Sequence, residues 1–182
     1  VGVENAGDSW HSDLSYMNPP ALASLLYGIE IPPIGGDTLF CSLYAAYDAL
    51  SPGMKNLLDG LTAIHDFAYA SRGVFKSEKA SKEQLDATPA VEHPVVKTHP
   101  ETGRKILFVT PGFTSHIIGL PPEEGRALLD FLFKHMTRTE FLYRHQWAER
   151  DLVMWDNRCT MHYAIADYED DRYMHRTTVM CG

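Results

Sequence analysis

Within the run Trp10-His11-Ser12-Asp13, an imidazole and a carboxylate stand two residues apart. In an extended strand, residues at i and i+2 point to one face, so both side chains can reach one ion. A third donor is needed, and the best-placed candidate is His162, which closes the run Trp155-Asp156-Asn157-Arg158-Cys159-Thr160-Met161-His162. Two histidines and one carboxylate occupy one face of an octahedron and leave three positions open, the arrangement suited to non-haem iron and oxygen. Open positions serve catalysis, whereas a closed ligand shell serves structure. A zinc hydrolase, in which three protein ligands activate a water, is a competing use of the same donors. A lone His-X-Asp also occurs in ordinary surface turns, so its distant company carries the weight.

Two arginines supply part of that company. Arg172, Met174 and Arg176 alternate along an expected strand, which sets both guanidiniums on one side about 13 Å apart at ~3.3 Å per residue. Two anions could then be held at once, since the planar fork of Arg binds a carboxylate or sulfonate through two parallel hydrogen bonds. The competing reading pairs them with Glu169, Asp170 or Asp171 at the surface. Asp156, Asn157 and Arg158 either support the ligand-bearing strand by hydrogen bonds to the ligands or form a polar turn. His65, His93, His99, His116, His135, His145 and His175 lack ligand spacing and read as structural.

The elements that must position these groups are mostly strands. Residues 21–31 are apolar and β-capable and end at Pro32-Pro33 and Gly35-Gly36, and a second strand is expected near Thr38 to Cys41. Ser51-Pro52 opens a helix through Leu58, with Ser as cap and Pro in the first turn. Residues 72–92 are polar without a sustained period and suggest a mobile loop or insertion, in the place of a lid. Val95 to His99 and Lys105 to Thr110 flank the turn Glu101-Thr102-Gly103 as a hairpin. After Pro121-Pro122, the acids Glu123 and Glu124 and the repeat of Leu128, Leu129, Leu132, Phe133 and Met136 mark the clearest helix. Glu140–Tyr143, Leu152–Trp155 and Tyr173–Met180 complete a chain that is mainly β with flanking helices, a pattern that suits a closed or sandwich-like β core.

Composition narrows the function classes. The chain has 182 residues, 45% of them hydrophobic, enough for one substantial core and one domain. A net charge of -8, with 16 Lys and Arg scattered among 24 acids, argues against a nucleic-acid partner. No stretch approaches the roughly 18 apolar residues of a membrane span, so no membrane partner is expected. Cys41, Cys159 and Cys181 are odd in number and far apart, which fits a reducing, cytoplasmic setting and small core residues. A homo-oligomer is compatible with all of this. Because the chain opens on Val1 with a candidate ligand only ten residues later, it reads as the catalytic domain, residues 1–182, of a protein with a further N-terminal and a short C-terminal segment.

The ordered blocks WHSDLSY, GGDTLF, HPVVKTHPETGRK, LVMWDNRCTMH and MHRTT resemble the taurine dioxygenase superfamily, which includes the phenoxyalkanoate dioxygenases. The similarity runs over nearly the whole chain. It implies a double-stranded β-helix, or jelly roll, with Fe(II) near one open end and with 2-oxoglutarate and molecular oxygen as co-substrates. The motifs carry over His11, Asp13 and His162 as metal ligands, and Thr38 and Arg172 as partners of the distal carboxylate of 2-oxoglutarate. Arg176 matches the arginine aimed at the acidic group of the substrate. Phe113 matches a substrate-pocket aromatic, with core packing as its alternative. The implied reaction hydroxylates a small organic acid, a sulfonate or an aryloxyalkanoate, and yields succinate and carbon dioxide. Ser71 stands where taurine-specific members carry an aromatic, and Gly7 replaces an amide-bearing residue, so strict taurine specificity is not implied. Ser71-Arg72-Gly73 is similar to the phenoxyalkanoate branch. From another class, a jelly-roll binding protein with a vestigial metal site would share the fold without the chemistry.

Overall fold

The structure is a computed structural model that describes residue 7, residues 9–75 and residues 80–181. In chain order its elements begin with strand β1, Ala21–Glu30, and strand β2, Thr38–Ser42. Two short helices follow, α1 over Leu43–Asp48 and α2 over Pro52–Leu58, and then β3 over Thr62–His65. Helix α3, Phe67–Tyr69, runs into a π-helical turn, Ala70–Val74, and α4 spans Lys82–Ala87. Strands β4 (Val91–Pro94), β5 (Val96–Thr98), β6 (Lys105–Leu107) and β7 (Thr114–Ile117) precede helix α5, Pro122–Met136. A 3-10 turn, Thr139–Phe141, leads to β8 (Leu142–His145), β9 (Leu152–Asp156), β10 (Thr160–Ala164) and β11 (Tyr173–Met180).

The strands form antiparallel sheets ordered β11-β1-β9, β10-β2-β8 and β4-β3-β7, with β5 and β6 as a separate hairpin. Every one of these pairings is antiparallel, and few are between sequence neighbours, as a jelly roll requires. The sheets containing β1 and β2 meet through rings on their inner faces. Trp155 of β9 lies 5.3 Å from Phe40 of β2 and 4.8 Å from His162 of β10, centroid to centroid. The main core lies beyond this seam, where Leu129, Leu132 and Met136 of α5 meet Leu43 and Ala46 of α1, Ile106 and Leu107 of β6, and Met161 of β10. Each such buried aliphatic side chain contributes about 1.5–3 kcal/mol relative to exposure.

The expected strands, the hairpin around Glu101-Thr102-Gly103, the Ser51-capped helix and the long helix all form. Ser51 Oγ accepts the Met54 amide at 3.2 Å, the cap that opens α2. Two segments differ from expectation. Glu140 and Phe141 lie in the 3-10 turn, because the chain must reverse directly after α5, and the strand starts only at Leu142. Within 72–92, residues 76–79 lie outside the described residues, and the remainder holds regular elements where a loop was expected: the π-helical turn closes with the Phe75 amide on Ala70 O at 3.2 Å. Helix α4 follows, started by a reciprocal cap in which Ser81 Oγ accepts from the Gln84 amide and Gln84 Oε1 from the Ser81 amide. With no buried residue in α4, there is no apolar stripe to read. The helix rests on its cap.

Candidate active site

His11 sits in a single antiparallel bridge with His162, not in a continuous strand as expected. The two residues exchange backbone hydrogen bonds, His11 N to His162 O at 3.1 Å and His162 N to His11 O at 2.8 Å, so their side chains leave the backbone together. After Ser12 the chain turns sharply, with Leu14 in the left-handed region at φ 53°. Asp13, at the head of that turn, lies on the same side as both histidines. Asp13 Oδ1 lies 3.4 Å from His11 Nε2 and 3.8 Å from His162 Nε2. All three residues are buried, and their donor atoms lie within 4.8 Å of one another. Such separations fit ligands held about 2.1 Å from a shared ion.

Hydrogen bonds fix two of the three donors. His11 Nδ1 donates to Ser9 O at 2.7 Å, which leaves Nε2 as the free electron pair. Ser24 Oγ on β1 donates to Asp13 Oδ2 at 2.6 Å, and Asn157 Nδ2 donates to Ser24 Oγ at 2.9 Å. Asn157 Oδ1 in turn accepts from the Asp13 amide and from Trp155 Nε1. Asn157 therefore braces Asp13, whereas Asp156 and Arg158 bond each other, with Nη2 2.6 Å from Oδ2, and face His99 and Glu101. His162 Nδ1 is buried without a hydrogen-bond partner.

The electrostatics suit a cation. Burial alone would raise the Asp13 pKa, but the His162 and His11 imidazoles and the Arg176 guanidinium hold it well below the usual carboxylate range. Burial, assisted by His11, brings His162 down to about 3, so its imidazole is neutral and able to ligate near neutral pH. Arg176 Nη2 lies 2.7 Å from Asp13 Oδ1, the oxygen that faces the histidines.

β11 begins at Tyr173, so Arg172 lies just before the strand that carries Arg176 and not within it as expected. The Arg172 guanidinium lies 5.9 Å from the rings of both Trp147 and Tyr168. Trp147 Nε1 donates to Thr38 Oγ1 at 3.0 Å, so one indole touches both residues expected to meet a distal carboxylate. Burial lowers the pKa of Arg172, and its Nε is buried with no hydrogen-bond partner. A desolvated guanidinium N–H calls for an anion.

Phe113 belongs to a second apolar cluster with Ala70 and Phe75, packed with Tyr16, Phe67 and Val74. Its ring lies 5.9 Å from the His11 ring, edge to face, and Phe75 lies 5.2 Å from it. Phe75 was not foreseen. A side chain on Gly112 would come within 2.8 Å of the Phe75 ring and 3.0 Å of His11 Cβ, so the glycine is what admits both.

A second set of donors, His99, Asp156 and Cys159, also lies within 4.8 Å. There His99 Nε2 approaches Asp156 Oδ2 at 3.1 Å, and both Asp156 oxygens are engaged by Arg158. That set is a brace, consistent with reading His99 as structural.

The family model described as "Taurine catabolism dioxygenase TauD, TfdA family" matches residues 1–178, and the chain belongs to that family. It is 48% identical over 176 residues to an alpha-ketoglutarate-dependent 2,4-dichlorophenoxyacetate dioxygenase of Cupriavidus pinatubonensis, covering 96% of this chain and 61% of that protein. A putative alpha-ketoglutarate-dependent sulfonate dioxygenase of Schizosaccharomyces pombe is 39% identical over 160 residues, covering 87% of this chain and 40% of that one. Among solved structures, AAD-2 in complex with Mn(II) and N-oxalylglycine is similar with a TM-score of 0.85 and 38% identity, over 94% of this chain and 62% of that one. The fold is thus the mainly β jelly roll of this family. The chain spans about three fifths of the length of the first of these relatives.

Proposed function

We propose that the chain is the catalytic jelly-roll domain of an Fe(II)- and 2-oxoglutarate-dependent dioxygenase that hydroxylates a small organic acid, a sulfonate or an aryloxyalkanoate. The observation that carries the reading is the convergence of His11 Nε2, Asp13 Oδ1 and His162 Nε2, three buried donors of the right kinds for iron with half an octahedron left over. When bound, iron supplies the oxygen activation that couples loss of carbon dioxide from 2-oxoglutarate to conversion of a substrate C–H into C–OH. One oxygen atom ends in succinate and the other in the hydroxyl.

The protein residues have positioning tasks. Arg172 Nε and the Thr38 hydroxyl, joined through Trp147, take the distal carboxylate of 2-oxoglutarate. N-oxalylglycine, bound in AAD-2, is a dicarboxylate of similar length. Arg176 takes the acid group of the substrate, and its place beside Asp13 keeps that anion close to the metal. Phe113 and Phe75 form an apolar wall against His11 and exclude water from that side. No described helix is long and apolar enough to cross a membrane, and Cys41, Cys159 and Cys181 are free thiols, which supports a reducing cytoplasmic setting.

The test is succinate formation with a panel of sulfonates, aryloxyalkanoates and alkyl sulfates, each beside its neutral analogue. The reading expects stimulation by one or more acids and none by the neutral compounds. Equal stimulation by neutral analogues would remove the acid from the substrate class, and turnover without oxygen would point to a metal hydrolase instead.

A further inference from the structure

The block HPVVKTHPETGRK contains two histidines that no part of the proposed chemistry uses. Both are buried, each 3% exposed. His93 reaches the turn that carries Asp13, and His99 the residue before Asn157. His93, on β4, has Nε2 2.9 Å from Ser15 O and 3.2 Å from Met17 O. Carbonyl oxygens only accept, so this nitrogen carries the proton and donates to both. Residues 12–17 form the turn that carries Asp13, and Ser15 within it is fully buried. His65, on the adjoining strand β3, meets the same residue from the side: Nδ1 is 3.1 Å from Ser15 Oγ, and Nε2 is 3.2 Å from Thr114 Oγ1. His99 Nδ1 accepts the amides of Glu101 and Thr102, so Nε2 donates to Asp156, the residue before Asn157.

The turn needs such support. Leu14 holds a left-handed backbone, and the turn's internal hydrogen bonds are few, Ser15 N to Ser12 O and Met17 N to Leu14 O. From the β9–β10 side Asn157 grips the Asp13 amide, and from the opposite side His93 grips the carbonyls two and four residues further on. Asp13 is held between them.

We infer that His93, seconded by His65 through Ser15, is a positioning residue for the metal site: it fixes the turn that aims Asp13, so that metal affinity depends on it. This rests on the metal reading above. His135 provides an internal control. It too is a buried histidine bonding a backbone carbonyl, with Nε2 2.8 Å from Ala46 O, but it ties α5 to α1 away from the metal ligands.

Mn(II) affinity of the purified chain, read from the free-ion EPR signal well below the unfolding temperature, tests the inference. His93→Leu is expected to weaken Mn(II) binding by about 10–100-fold, the usual effect of losing an outer support of a metal ligand. His93→Gln, whose amide can donate to the same carbonyls, recovers most of it. His135→Leu lowers the unfolding temperature but leaves Mn(II) binding as in the parent chain. A folded His93→Leu protein with parental Mn(II) affinity, or an equal loss in His135→Leu, overturns the inference. Should His93→Leu fail to fold, Ser15→Ala, which removes only the hydroxyl facing His65, must still weaken Mn(II) binding, and parental affinity there overturns it. If the parent chain binds no Mn(II) that Asp13→Ala abolishes, the metal reading itself fails and takes this inference with it.

Discussion

Ser24 Oγ donates to Asp13 Oδ2 at 2.6 Å and so holds that oxygen away from the histidines, leaving Oδ1 to face them. Ser24 lies in the middle of β1, fully buried, and its own oxygen is held by Asn157. The carboxylate is therefore pinned from a sheet rather than from a loop, and rigid elements hold site geometry better than loops do. Ser24→Ala frees the carboxylate to rotate and leaves Asn157 Nδ2 without its partner. The Fe(II) concentration for half-maximal turnover should rise about 10–100-fold in Ser24→Ala or Asn157→Leu. An unchanged iron requirement in both would show that Asp13 needs no such support.

Arg176 has two partners in prospect, Asp13 Oδ1 now and an acid group in turnover. Its side chain is 41% exposed, so its loss should weaken binding of the acid by about 1.5–3 kcal/mol, as for a charge-assisted hydrogen bond that is partly solvated. In Arg176→Gln, KM for the acid should rise roughly 10–150-fold, with substrate-free consumption of 2-oxoglutarate largely intact. Loss of that uncoupled consumption would assign Arg176 to the metal or the co-substrate instead.

Arg172 is the better buried of the two arginines and carries the unpartnered Nε. Arg172→Ala should raise the 2-oxoglutarate requirement more than the substrate requirement. Steady-state titration of each against the other held at saturation separates the two. An unchanged 2-oxoglutarate requirement would contradict the assignment.

Stability should fall in acid through the buried histidines. Burial, aided by the neighbouring charges, brings His65 down to about 3 and His93 down to about 4, from 6.5 when unfolded. Below pH 6.5 the unfolded chain takes up protons that the folded chain refuses, so stability is lost as pH falls from 6.5 toward 4 and 3. Each site adds a slope of up to about 1.4 kcal/mol per pH unit. Urea midpoints across this window should show a shallower acid slope in His93→Gln than in the parent chain. Equal slopes would mean that His93 is not held neutral.

Much of this was legible from residue types and order, because strands, caps and ligand types are local signals. His11, Asp13 and His162 come together, and Thr38 and Arg172 both reach Trp147. What escaped depends on long-range geometry. His11 pairs only in an isolated bridge before a turn with Leu14 left-handed, where a strand was expected, and β11 begins at Tyr173, so Arg172 lies just outside it. Ser24 looked like one more residue of a buried strand, and only its pairing opposite Trp155 sets it beside Asp13. Phe75 borders a segment without periodicity, and its signal was the small residue Gly112 that it packs against. His93 lacked ligand spacing, as expected of a residue that acts through a backbone turn.

The central claim is that His11, Asp13 and His162 hold iron with positions open to 2-oxoglutarate. Anaerobic addition of Fe(II) and 2-oxoglutarate to the purified chain, followed by visible absorption, tests it most directly. A charge-transfer band that needs both components, and that vanishes in His11→Ala, Asp13→Ala and His162→Ala alike, is the predicted result. No band in the parent chain, or a band that survives any one of the three substitutions, would contradict it.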